Sequence, residues 1–141
     1  MNVILSIKPK YCNAITSGLK KYEFRRRIFG RKVDSVYMYS TSPVKKIVGR
    51  FTVKSILEDS PKALWENYGD LSGLHETEFF EYFDGAEKGF AIEIAKAETL
   101  MPIDPKNLIP NFCPPQSYRY FSESIAKMIA SYGERVFKTT H

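Results

Sequence analysis

The sequence predicts an α+β domain, a mixed β-barrel of about five to six strands with short helices at its periphery. Alternating apolar and polar runs recur along the chain, as half-buried strands require. Between them lie proline-led or serine-led stretches whose apolar residues repeat at helical spacing over only two or three turns. The 141 residues, 43% hydrophobic and 26% charged, suit a single domain with one core.

Asn2 to Ile7 alternates Val3, Leu5 and Ile7 with Asn2, Ile4 and Ser6, which reads as a first strand with one mostly apolar face. Pro9 stands where a helix starts, and Cys12, Ile15 and Leu19 follow at helical spacing. A helix from about Pro9 to Ser17 follows, with Gly18 at its end, where only glycine adopts a left-handed turn cheaply. As a strand, Lys20 to Arg27 would put Tyr22 and Phe24 on a core face. Lys21, Glu23, Arg25 and Arg27 would lie on a face that lines solvent or a cleft.

Ser35–Ser40 reads as the third strand. Lys46–Val53 reads as the fourth, running on through Ile56 and Leu57, with Gly49 marking a bulge or a close backbone approach. Short helices are expected over Pro61–Tyr68 and about Glu76–Phe83, with His75 at the start of the second. A fifth strand is expected over Phe90–Ala95. The proline-rich stretch Pro102–Pro115 leads to a loop in which Tyr118 and Tyr120 flank Arg119. A last helix is expected over about 122–132, with Gly133 as its stop.

The net charge of +5 is unevenly distributed. Residues 1–60 hold thirteen Lys and Arg against four Asp and Glu, whereas residues 61–100 hold three against nine. Such a split gives a basic region able to attract polyanions. The apolar runs are too short for a membrane helix and no secretory leader is apparent, so a cytoplasmic location is expected. Cys12 and Cys113 form no CxxC or Cys/His cluster, and His75 and His141 are the only histidines. No metal site and no cofactor are therefore expected.

Gly18-Leu19-Lys20-Lys21-Tyr22-Glu23-Phe24-Arg25 matches the pattern G-x-K-x-x-E-x-R and resembles the ASCH domains, a branch of the PUA-like superfamily. The strand–helix–strand context and the Pro-Pro-Gln-Ser-Tyr-Arg-Tyr run are also similar to that family, and the resemblance extends over roughly residues 2–130. It implies a PUA-like β-barrel, a cleft beside the first helix, and a role in binding RNA, regulatory in transcription or translation. By position, Gly18 would make the turn while Lys20, Glu23 and Arg25 project towards the cleft.

The chemistry of these side chains agrees. Two cations flanking a carboxylate can hold a phosphate while the carboxylate orients one of them or accepts from a base or ribose donor. A row of exposed ion pairs on an edge strand would account for the same residues, although such pairs contribute only about 0–1 kcal/mol each. Lys8 and Lys21 could extend the basic surface, and Tyr118 and Arg119 could stack or contact a nucleotide.

Two other classes stay open. A small hydrolase could use Lys20 with Glu23 or Tyr22 as acid–base groups on RNA. The resemblance also includes amidohydrolases of acetylated cytidine, for which a small nucleoside would be the ligand, but Glu23 stands where those carry a threonine nucleophile. A protein–protein adaptor could use the acidic segment Glu66–Glu98. The oligomeric state is not legible in the sequence.

Overall fold

The computed structural model describes residues 1–116 and 118–140, the stretch 133–140 as backbone only; Ser117 and His141 lie outside the described residues. The strands are β1 (Asn2–Ile7), β2 (Tyr22–Arg25), β3 (Ser35–Ser40), β4 (Lys46–Asp59), β5 (Gly89–Ile103) and β6 (Tyr118–Phe121). The helices are α1 (Pro9–Thr16), α2 (Pro61–Tyr68), α3 (Glu76–Tyr82) and α4 (Glu123–Thr140). Six strands make one mixed sheet in the order β2-β5-β4-β3-β1-β6. No helix among the described residues is long and apolar enough to cross a membrane.

Next to the edge strand β6, β1 runs parallel to β3, and every β3 residue is buried. Parallel strands covered on both faces read as continuous apolar runs, and Val3-Ile4-Leu5 in β1 does so. Val3, Leu5 and Ile7 pack with Cys12 and Ile15 of α1, while Ile4 packs with Tyr37, Phe112 and the α4 residues Ala126 and Ile129. A third cluster joins Phe24 and Ala91 to Leu64 of α2, Phe79 of α3 and Phe83 just beyond it. Tyr37 and Tyr39 are core residues.

Pro9 and Pro61 occupy first-turn positions of α1 and α2, where a missing N–H costs nothing. The Ser60 hydroxyl accepts from Ala63 N–H and caps α2. His75 is the N-cap residue of α3. The β3–β4 and β4–β5 registers shift at Met38/Tyr39 and Ile47/Gly49, so Gly49 sits at an irregularity. A Cβ there would stand 2.6 Å from Met38 Cε and 3.0 Å from the Glu98 carbonyl oxygen.

Three elements differ from expectation. β5 extends past Ala95 to Ile103, because hydrogen bonding to the long β4 carries it through residues with no apolar alternation. Pro102 is tolerated there because β2 pairs only with Phe90–Glu93, leaving the far half of β5 as an edge. Tyr118–Phe121, expected as loop, is strand β6, antiparallel to β1. Helix α4 continues through Gly133 to Thr140 rather than stopping near 132.

The sheet curls without closing into a hydrogen-bonded barrel. β2 and β6 stand at opposite ends of the order and do not pair, yet Arg25 at the end of β2 reaches the Ser6 carbonyl of β1 at 3.4 Å. The Arg25 side chain bridges the gap between the end of β2 and the end of β1. That gap is the cleft.

Candidate functional site

Helix α1 ends in a turn that directs the next residues inward. Gly18 adopts φ +84°, and Lys20 N–H folds back onto the Ala14 carbonyl at 3.0 Å. The Lys20 side chain then passes into the interior. It is 1% exposed and donates to the Ser72 carbonyl just after the 3-10 turn Gly69–Leu71, with the Tyr11 ring centroid 5.2 Å from Nζ. Burial lowers its pKa, opposed by the attraction of Glu23.

On β2 the period of two sends Phe24 towards α2 and α3 and directs Glu23 and Arg25 the other way. Glu23 is 6% exposed, with Oε1 3.5 Å from Lys20 Nζ and Oε2 3.7 Å from Arg25 Nη1. One carboxylate thus lies between a buried ammonium and a guanidinium that is itself mostly covered.

Glu23 and Arg25 open onto a cleft of about 750 Å³. Its walls are the end of β1 with Ser6 and Ile7, the start of α1 with Lys8 and Tyr11, residues 23–27 of β2 and its exit, and one side of α3. Helix α3 contributes Glu78, Glu81 and Tyr82, and Gln116 joins from the segment before β6. The cleft is mixed in charge: Lys8, Arg25, Arg26 and Arg27 line it together with Glu23, Glu78 and Glu81, the last two supplied by the acidic segment.

Across the cleft, α1 and α3 are tied together. Glu78 Oε2 accepts from the Tyr11 hydroxyl at 2.8 Å and from Lys10 Nζ at 3.1 Å, while its Oε1 accepts from His75 N–H at 3.2 Å. These bonds, the Tyr11 hydroxyl first, hold the Glu78 carboxyl down at about 2. Burial raises the Tyr11 pKa, with the bond to Glu78 adding to it. Arg26 straps the other end of α3, donating through Nη1 to the carbonyls of Tyr82 (2.8 Å) and Asp84 (3.0 Å). Lys8 and Arg27 form no ion pair among the described residues.

Of the residues singled out in the sequence, Lys8, Glu23 and Arg25 converge on the cleft, with Lys20 immediately behind Glu23 rather than facing open space. Lys21 is exposed, and Gly18 makes the turn without lining the cleft; both border a smaller pocket at the end of α1. Tyr22 points away, its hydroxyl directed at Glu93 and its ring against Tyr68. Tyr118 packs edge-on against Phe29, and Arg119 lies on the opposite face near the Phe112 ring, so neither joins the cleft. Tyr11, Glu78 and Tyr82 escaped the sequence reading. The only local signal was Glu78 three residues after His75, a capping-box spacing.

Cys12 is buried, which pushes its thiol up to about 11. It is a packing residue. Among the described residues no three His, Cys, Asp or Glu side chains converge as metal ligands.

The ASCH domain model matches residues 5–103. This chain belongs to the ASCH domain family. An ASCH domain-containing ribonuclease from Zymomonas mobilis is 31% identical over 137 residues, covering 94% of this chain and 93% of that protein. The crystal structure of ASCH from Zymomonas mobilis superimposes with a TM-score of 0.88 at 31% identity, covering 92% of this chain and 94% of that one. The fold is therefore that of the ASCH structures, PUA-like in class. The large ribosomal subunit protein uL22 of Ureaplasma parvum matches over 96 residues at 30% identity, which is 67% of this ASCH chain but 31% of that protein.

Proposed function

We propose that this ASCH domain binds an RNA strand in the cleft and cleaves it. The observation that carries the reading is the Glu23 carboxylate, nearly buried between Lys20 Nζ at 3.5 Å and Arg25 Nη1 at 3.7 Å. It faces a cleft of about 750 Å³ with Lys8 and Arg27 on its walls. Phosphate contacts by such cations supply affinity. A fixed carboxylate beside them is what proton transfer from a ribose hydroxyl needs. The name of the Zymomonas relative supports the same reading, since the likeness spans nearly the whole of both chains.

In this reaction Glu23 takes the proton of a ribose 2′-hydroxyl and the 2′-oxygen attacks the adjacent phosphorus. The bond to the 5′-oxygen breaks, and that oxygen takes a proton from water in the cleft. The products are a 2′,3′-cyclic phosphate and a 5′-hydroxyl. Arg25 stabilises the charge that builds on the phosphoryl oxygens, the role of a preorganised cation. Lys20 is a positioning residue that holds Glu23.

End-labelled RNA tests both halves. The wild-type chain should cut it, whereas Glu23→Gln should bind it and leave it intact. RNA carrying a 2′-deoxyribose at the cut site should also survive. Binding should fall steeply with added salt, with a log–log slope of about −0.7 per phosphate contact for a single strand. Salt-sensitive binding with no cleavage would reduce the function to a binding module. No binding would refute the reading altogether.

A further inference from the structure

Among the cleft residues one aromatic has no structural reason to be exposed. Tyr82, in the last turn of α3, lines the cleft and is 41% exposed. The other large apolar side chains on the walls are covered: Ile7 and Phe24 are buried, and Tyr11 and Leu74 are half-buried. Tyr82 is nevertheless held at both ends. Its hydroxyl accepts from Arg26 N–H at 3.1 Å, and its ring meets Phe83 at a centroid distance of 4.9 Å, tilted 76°. The Arg26 guanidinium pins the Tyr82 and Asp84 carbonyls from the same side. An aromatic residue held at both ends, two fifths exposed and lining a cleft that carries Lys8, Arg25 and Arg27, is a stacking platform prepared in advance.

Its position selects the ligand. The N–H that holds the Tyr82 hydroxyl belongs to the residue following Arg25, and Tyr82 and Arg25 line the same cleft. We propose that Tyr82 stacks the base of the nucleotide next to the phosphate held by Arg25, and that the substrate is therefore unpaired, single-stranded RNA of little base preference. A base within a duplex is already stacked and cannot also lie on Tyr82, whereas every base offers a face to an aromatic ring. The inference rests on the cleft being the RNA site.

The test measures binding by fluorescence anisotropy of a labelled single-stranded RNA, in a Glu23→Gln background so that the strand stays whole. Tyr82→Ala should weaken binding about fivefold or more, the loss expected for one stacked base. Tyr82→Phe gives up the Arg26 bond but keeps the ring, and should bind within about twofold of the parent. An abasic site walked along the RNA should weaken binding at one position, and that loss should vanish in Tyr82→Ala. A duplex of the same sequence should bind more weakly than the single strand and respond little to Tyr82→Ala. Equal binding by Tyr82→Ala and the parent would overturn the platform while leaving the cleft as the RNA site. So would Tyr82→Phe behaving like Tyr82→Ala, because the hydroxyl contact and not the ring would then matter. A wild-type chain that binds no RNA would overturn the cleft reading and this inference together.

Discussion

Replacing Lys20 by methionine removes an ammonium from the interior while keeping the length and most of the volume of the side chain. In the wild-type chain Nζ serves the Ser72 carbonyl and Glu23, and the Lys20 side chain has no solvent exposure. Methionine leaves that carbonyl without its donor and leaves Glu23, 8% exposed at its side chain, with one cation fewer. Breaking a buried pair from one side costs about 3–5 kcal/mol, because the partner charge stays buried and uncompensated. At this chain length a kcal/mol moves the melting temperature by roughly 2–4 °C, so Lys20→Met should melt on the order of 10 °C lower.

Adding Glu23→Gln removes the stranded charge and should restore part of that loss, so the double variant should be more stable than the two single effects added together. Thermal unfolding by circular dichroism of the four chains gives the cycle directly. Burial also lowers the Lys20 pKa from its ordinary 10.5. Between the folded value and 10.5 the unfolded chain binds more protons, so the Lys20 contribution should make stability rise with pH in that alkaline window, a rise that Lys20→Met loses. A melting temperature for Lys20→Met within about 2 °C of wild type, or strict additivity in the cycle, would refute the buried-pair reasoning.

Two further outcomes follow from the geometry. In Tyr11→Phe the Glu78 carboxyl loses its largest stabilising partner and should titrate above its wild-type value of about 2, moving towards 4.5, as read by carboxyl NMR. In the wild-type chain the stability that this carboxylate contributes is present above 4.5 and lost as pH falls towards 2, so Tyr11→Phe should flatten acid unfolding in that range. Gly49→Ala should destabilise the fold by about 1–3 kcal/mol through overpacking, since the added methyl meets the Glu98 backbone carbonyl oxygen at 3.0 Å and the end of the fully buried Met38 side chain at 2.6 Å. An unchanged melting temperature would mean that β3 and β4 shift at no cost.

What the sequence by itself determined was local. Pro9, Pro61 and Gly18 mark helix starts and a turn by restricting or freeing a backbone angle, and each does so in the fold. The spacing of Gly18, Lys20, Glu23 and Arg25 likewise pointed to the family, and two of the four, Glu23 and Arg25, line the cleft.

The tertiary structure decided everything that depends on a partner distant in the chain. Lys20 reads as a cation projecting towards the cleft, and only the Ser72 carbonyl, 52 residues later, draws it into the interior behind Glu23. Tyr118–Phe121 reads as loop because four residues carry too little periodicity, and only the free edge of β1 makes them a strand. Nothing in the local pattern of the α3 segment marks Glu78 and Tyr82 as cleft residues. They belong to the cleft because α3 packs across the gap that β2 and β1 leave open, and side-chain periodicity carries no information about which gap a helix will cover.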